Sequence, residues 1–355
     1  MTEIHGIVEP GFEAVRAAFA RGFEKGELGA AVSAYVDGKK VVDLWGGWAD
    51  ADRKRPWQRD TMACTFSATK GMTATCAHRL IERGLLDLDA PVAVYWPEFA
   101  EAGKAEITVR MVLSHQAGLP WATAPYPTDN RFDWPTITGA LARSAPVWEP
   151  GSRSEYHGGT FGYLVGEIIR RIDGRSLDTF FQEEIGGPLG ADFWFSPGPA
   201  DHHRCAEMTG PEEMVGGSNS PAWRSAGDGS ATSFTTADGL ARVYAALARG
   251  GELGGVRVLR QETIDAAIQE QPLSHADGTS GDFGLGYQLL WKVYPGLPAR
   301  TFGHTGMGGC VGLADPNVHL GFGFVMNQMG SNGATHLLAA LYSSLSDRAA
   351  GRDGH

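Results

Sequence analysis

The apolar positions of this chain change their period along its length. Near the start, Phe12, Val15, Phe19 and Phe23 recur every three or four residues, which predicts a helix within residues 10–26. Ala30–Val36 and Val41–Trp45 then read as two strands, and Asp37-Gly38 between them predicts a tight hairpin. The helical period returns with Met72, Cys76, Leu80 and Ile81, flanked by Arg79, Glu82 and Arg83 and stopped by Gly84. From about 85 to 225 strands are hard to find, and helical stretches at Val109–Ser114, Thr160–Ile172 and Leu177–Glu184 alternate with Pro/Gly-rich connections. Further helices are predicted at Ala237–Ala248 and near Glu262–Glu270. Strand signals return at Leu285–Lys292, Arg300–Thr305, Gly309–Ala314 and His319–Asn327, the last two joined by a turn at Asp315-Pro316-Asn317. A closing helix is predicted at Ala334–Leu345, and Ala349–His355 reads as a frayed tail.

Strands at both ends with helices between them predict a fold of class α/β plus all-α. An antiparallel sheet is built from both termini and flanked by helices, with a helical lobe inserted. The α/β lobe takes residues 1–85 and 226–355, and the mainly helical lobe takes 86–225.

Composition narrows the partners. The chain has 355 residues, 43% of them hydrophobic and 20% charged, enough for a large core in one unit or two lobes. With a net charge of −11 and no basic run, nucleic acid and anionic membrane surfaces are not expected as partners. No apolar run has the length of a membrane span, and Met1–Gly11 lack a charged-then-apolar signal segment. Cys64, Cys76, Cys205 and Cys310 are scattered without a Cys-x-x-Cys and read as small buried hydrophobes in a reducing compartment. Together with the absence of any Asn-x-Ser/Thr acceptor, this points to a cytoplasmic location.

The candidate chemistry starts at Ser67-Ala68-Thr69-Lys70, where a serine has a lysine three residues later. Residues i and i+3 share a helix face, so hydroxyl and amine can meet. A serine needs a neighbour to take its proton, and an amine does that only if burial or other cations keep it neutral. Such a pair arises about once by chance in a chain of ordinary composition, so context decides. Thr61–Phe66 is mostly uncharged and apolar, and the helix that follows places Ser67 in its first turn, where free N–H groups and the positive helix end favour a developing negative charge. Tyr156 follows Pro150-Gly151 and precedes Gly158-Gly159, so a tight backbone can leave its phenol at a cleft edge as a proton shuttle. Taken alone, Tyr156 reads first as one packing tyrosine among 9. His304-Thr305-Gly306 ends a predicted strand and leads into Met307-Gly308-Gly309, where a ligand can approach the backbone and an N–H can serve an oxyanion.

Ser67-x-x-Lys70, Tyr156 and His304-Thr305-Gly306, in that order, resemble the three motifs of the serine β-lactamase and penicillin-binding superfamily. More closely, the chain resembles the family VIII carboxylesterases, which look like class C β-lactamases but hydrolyse esters. The likeness spans nearly the whole chain and includes Leu113–Leu119, Pro150-Gly151 leading to Tyr156, and Thr235-Thr236-Ala237-Asp238 before a helix. It implies one β-lactamase-related unit with the site between an α/β and a helical lobe. It also implies that Ser67 is acylated, that Lys70 and Tyr156 share the proton work, and that the N–H groups of Ser67 and Met307 form the oxyanion hole. His304 then lines the pocket where the superfamily has a lysine, with Gly306 beside it.

Two departures bear on the substrate. The second motif reads Tyr156-His157-Gly158, without the side-chain amide that the family usually has there. The third has His304 in place of a permanent cation, and histidine is mostly neutral at neutral pH. Both changes weaken recognition of an anionic amide and leave an uncharged ester unaffected. The expected function is therefore a cofactor-free, metal-free serine esterase for short to medium acyl chains, with a small-molecule ester as its partner and oligomeric state open. An acyltransferase, a β-lactamase or D-alanyl-D-alanine peptidase, and a non-catalytic penicillin-binding sensor are the alternatives.

Other features carry less. No Gly-x-Ser-x-Gly elbow is present, and Asp201-His202-His203 reads as a surface loop rather than a metal site. His115 reads as a capping or packing residue. The aromatics Trp121, Tyr126, Trp148 and Trp223 lie in loops near the motifs and each reads singly as core or lid packing, with Trp121 and Tyr126 the candidates for an apolar substrate wall.

Overall fold

The computed structural model describes residues 2–127, 129, 132–271 and 282–353. In chain order, strand β1 (Ile4–Val8) is followed by helix α1 (Glu13–Glu24), β2 (Gly29–Val36), β3 (Lys39–Gly47) and the short β4 (Ala63–Cys64). The middle of the chain holds α2 (Thr69–Glu82), α3 (Val109–Leu113), α4 (Trp134–Arg143), α5 (Phe161–Asp173), α6 (Leu177–Phe181), α7 (Gly187–Leu189), β5 (Phe193–Trp194), α8 (Glu212–Val215) and α9 (Pro221–Arg224). The rest is β6 (Phe234–Thr235), α10 (Ala237–Ala248), the hairpin β7 (Glu252–Leu253) and β8 (Val256–Arg257), α11 (Gln261–Ala267), α12 (Leu290–Val293), β9 (Phe302–Thr305), β10 (Val311–Asp315), β11 (Leu320–Met326) and α13 (Gly333–Asp353).

Six strands form one antiparallel sheet in the order β1-β3-β2-β11-β10-β9, so N- and C-terminal segments meet at the β2–β11 pair. The Asp37-Gly38 hairpin forms as the sequence predicts, with Asp37 at φ 50° and Gly38 at φ 77°. Helix α10 lies on one face, where Gly321 and Gly323 of β11 leave no room for a Cβ: it would stand 2.3 Å from Ala245 Cα and 2.4 Å from Ala237 O. The Thr235–Asp238 stretch explains this seat. Thr236 caps α10 by accepting from the Gly239 N–H at 3.0 Å, and Asp238 ties the helix to the sheet through Tyr35 (2.7 Å) and Lys40 (2.7 Å). On the other face α1 and α13 pack with Phe12, Phe19, Phe322, Phe324 and Leu337 into one apolar cluster. A second cluster runs without a break from Tyr35 and Trp57 through α2 into Phe161, Ile168 and Phe180 of the helical part.

Three expectations are corrected. Leu285–Lys292 is not a strand. Gly286 turns at φ 86°, Gln288 makes single bridges to Phe283 and Gly303, and the run ends in α12. Leu285 and Tyr287 meet α2 through His78 and Thr75, whereas Leu290 packs into the apolar cluster of the sheet. Strand β1 went unpredicted because Ile4-His5-Gly6-Ile7-Val8 is a sheet edge only half buried on alternate residues, which leaves little apolar signal. Helix α13 runs on to Asp353, so the helix takes in most of the predicted tail. The last tail residues, 354–355, lie outside the described residues. Among the described residues no helix is long and apolar enough to cross a membrane.

Candidate active site

Ser67 sits in a 3₁₀ turn, Phe66–Ala68, immediately before α2 rather than inside its first α-helical turn. Phe66 takes φ 45°, a left-handed value rare for a bulky residue, and the surroundings hold it there. The Thr69 hydroxyl donates to the Phe66 carbonyl at 2.6 Å, and Thr65, Thr69 and Ser233 form a buried hydroxyl cluster beneath the turn. α2 is buried along most of its length: Thr69–His78 and Leu80 are all covered.

That burial includes Lys70, which is 0% exposed. Its Nζ donates to Ser67 Oγ at 3.3 Å and to the Ser230 carbonyl at 2.9 Å. The second partner was not foreseen. Ser230 belongs to a loop wound around Asp228, whose Oδ1 accepts from the N–H groups of Ser230 (2.7 Å), Ala231 (2.8 Å) and Thr232 (3.2 Å). The Ser230 hydroxyl anchors that loop to α5 by accepting from the Gly162 N–H at 2.7 Å. Asp-Gly-Ser, with an Asx side chain able to bond the backbone two residues on, was the available signal.

Tyr156 is placed by two stitched loops. The Glu155 N–H donates to the His115 carbonyl (3.0 Å), the Ser154 hydroxyl to the Ser114 carbonyl (3.0 Å), and the His157 N–H to His115 Nδ1 (3.2 Å). His157 is wholly buried: its Nδ1–H donates to the Glu155 carbonyl (2.7 Å), and its Nε2 accepts from the Leu119 N–H (3.0 Å). The Leu113–Leu119 stretch therefore positions the tyrosine, and His115 packs its ring on Tyr156 at 5.2 Å. The Tyr156 ring stacks on Phe283 at 5.7 Å with planes 12° apart, and its centroid lies 4.9 Å from Lys70 Nζ. Tyr156 is 39% exposed, so the phenol stands on the solvent side and the amine behind it.

The third wall is the end of β9. His304 is buried, with its Nδ1–H donating to the Thr305 carbonyl at 2.7 Å and its Nε2 without a hydrogen-bond partner among the described residues. A Cβ on Gly306 would stand 2.1 Å from the Thr65 carbonyl oxygen and 2.2 Å from Cys310 Sγ, so the turn after β9 lies directly against the backbone leading to Ser67. Neither the Ser67 nor the Met307 N–H has a hydrogen-bond partner among the described residues. Ser67, Tyr156, Phe283, His304, Gly306 and Met307 line one pocket of about 380 Å³. Gly306→Ala is expected to force this turn off the Thr65 carbonyl. It should cost about 1–3 kcal/mol in a urea titration and lower kcat by about 10²-fold through the displaced Met307 N–H; unchanged kcat argues against that placement.

Trp121 and Tyr126 do not line this pocket, which corrects their assignment as substrate-wall residues. Their loop is fastened to α4 instead, with the N–H groups of Thr123 (2.9 Å) and Ala124 (3.0 Å) donating to Ser144 Oγ. Trp121 thus faces solvent at 60% exposure, and Tyr126 packs on the helical core. Phe283 and Asp282 supply wall instead, missed because the run after them reads as a strand.

Buried rings dominate the electrostatics. Burial holds His78 and His157 down to about 4, and burial with the neighbouring Lys70 charge holds His304 down to about 3. The unfolded chain binds these protons near pH 6.5 and the folded chain does not. The stability contributed by three neutral rings is therefore complete above pH 6.5 and is lost as pH falls towards 4. Each ring should contribute roughly 1.4 kcal/mol per pH unit inside that window. The urea midpoint is expected to drop steeply from pH 6.5 to 4.5, and a flat midpoint over that range contradicts the neutral assignment.

The sequence profile of the beta-lactamase family matches residues 14–345. The chain belongs to the beta-lactamase family. The esterase/beta-lactamase LipL of Mycobacterium tuberculosis is 36% identical to this beta-lactamase-family chain over 364 residues, covering 92% of it and 83% of LipL. A crystal structure of a family VIII carboxylesterase superposes with a TM-score of 0.89 at 37% identity, covering 96% of this chain and 100% of the other. A penicillin-binding protein homologue from Caulobacter crescentus superposes at 0.87 with 38% identity, covering 96% and 100%.

Proposed function

We propose that the protein is a serine carboxylesterase that acts through an acyl-enzyme on Ser67. The observation that carries this reading is the contact of Lys70 Nζ with Ser67 Oγ at 3.3 Å, at the wall of an open pocket. Ser67 Oγ attacks the ester carbonyl carbon and its proton passes to the Lys70–Tyr156 pair. The oxyanion lies between the N–H groups of Ser67 and Met307, each worth about 10²–10³-fold in comparable sites. The carbonyl–alkoxy bond breaks, the alkoxide takes the proton from the pair, and water repeats the sequence to release the acid.

Support for an ester rather than a β-lactam comes from two positions. His304 is neutral where a cation would hold a substrate carboxylate, and position 158 is glycine, so no side-chain amide follows Tyr156. The relatives' names agree: one is a carboxylesterase, another an esterase/beta-lactamase. The decisive experiment sets p-nitrophenyl acetate to hexanoate beside a chromogenic cephalosporin on the purified protein. Rapid release of p-nitrophenol and free acid, with slow cephalosporin opening, is the expected result. Cephalosporin turnover exceeding ester turnover reverses the assignment, and transfer of the acyl group to added alcohols in place of water makes the protein an acyltransferase.

A further inference from the structure

The turn that carries the Met307 N–H is braced from two sides. On one side Gly306 lies against the Thr65 carbonyl, as described above. On the other, the Gly308 carbonyl accepts from the Gly330 N–H (3.1 Å) and the Ser331 N–H (2.9 Å), both in the loop between β11 and α13. The fit leaves no space for side chains. A Cβ on Gly309 would stand 2.4 Å from the Ser331 carbonyl oxygen, and one on Gly308 would stand 2.5 Å from Met329 Sδ. A shift of this loop therefore moves the Met307 N–H with it.

The loop is held in turn by Glu27, between α1 and β2. The Ser331 hydroxyl donates to Glu27 Oε1 and accepts from the Gly333 N–H at 3.0 Å, at the start of α13. Glu27 Oε2 is buried and has no hydrogen-bond partner among the described residues. We propose that Glu27 is a positioning residue for the oxyanion hole, its carboxylate holding the Met307 N–H in place through Ser331 and the Gly308 carbonyl. The inference rests on the ester-hydrolase reading above and adds a distant residue to that site. Glu27 lines a separate cavity of about 430 Å³ and not the Ser67 pocket, so it acts only through the turn.

Burial pushes the Glu27 carboxyl up to about 7, so it changes charge near neutral pH. Two titratable groups line the same cavity, Lys25 on its own turn and His336 on α13; both are exposed, and residues 327–332 bring none. The bond from the Ser331 hydroxyl is charge-assisted when Glu27 is ionised and weaker when it is protonated. The hold on the turn should tighten as pH rises through about 7.

The test compares p-nitrophenyl butyrate with its thiono analogue, in which sulfur replaces the carbonyl oxygen and accepts poorly from N–H donors. Glu27→Ala should lower kcat/KM for the oxo ester about tenfold, a part of what one lost oxyanion donor costs, and the oxo-to-thiono ratio should fall with it. Loss of folded enzyme lowers both esters alike and cancels in that ratio. Ser331→Ala should do the same, and the double variant should be no worse than either single one, because both act through one bond. In wild type the ratio should rise about threefold between about pH 6 and 8. Glu27→Gln keeps an acceptor that does not titrate, and should recover most of the activity while losing that rise. An unchanged ratio in either alanine variant, additive losses in the double variant, or a full rise in Glu27→Gln overturns the positioning role alone. Absence of ester hydrolysis by wild type overturns the ester-hydrolase reading and this inference with it.

Discussion

Ser67→Ala should abolish ester hydrolysis, with kcat/KM for p-nitrophenyl butyrate falling at least about 10³-fold. The size follows from how the site is built. The hydroxyl is the atom that forms the bond, and its base and oxyanion donors act on that atom alone, so deleting it removes their contributions as well. The methyl group of alanine fits where Ser67 sits, because the turn is held by bonds of its neighbours: Thr69 to the Phe66 carbonyl, and the Thr65–Thr69–Ser233 cluster below. Thermal unfolding should therefore change little. A mechanism-based fluorophosphonate should label wild type once and leave Ser67→Ala unlabelled. Equal hydrolysis by the two proteins ends the acyl-enzyme reading.

Lys70→Ala is expected to lose nearly as much, within about tenfold of the serine variant, because nucleophile and base work as one unit. Here folding must be separated from chemistry. Lys70 is wholly buried and its amine meets the Ser230 carbonyl, so alanine leaves a cavity and an unpaired acceptor, worth about 1–3 kcal/mol for the carbonyl alone. Lys70→Met fills the space without a base and is expected to be better folded but equally inactive. Activity that returns in the methionine variant assigns the amine a packing role and removes it from the proton path.

Much of this was legible in the sequence, for a stated reason. Residues three apart on a helix meet whatever else the chain does, so Ser67 and Lys70 could be paired from spacing. The hairpin at Asp37-Gly38 and the helix capped by Thr236 are likewise local, set by turn chemistry and a cap. Leu285–Lys292 misled because an apolar run says that a segment is buried and not which neighbour buries it; here Leu285 and Tyr287 meet α2 while Leu290 meets the cluster of the sheet. Trp121 misled because nearness in sequence to a motif says nothing of the direction in which a loop is tethered.

The order of the motifs, the helical spacing and the absence of charge around Ser67 were fixed by the chain's own residues, as was the loss of a cation at His304. The tertiary structure alone decided what faces the nucleophile. It brought Ser230 to the amine, Phe283 to the tyrosine ring, the turn after β9 onto the Thr65 carbonyl, and Asp282 to the pocket wall. Those contacts join positions between about 125 and 240 residues apart, where no period or turn rule operates and only the closing of loops over a shared core sets the distance.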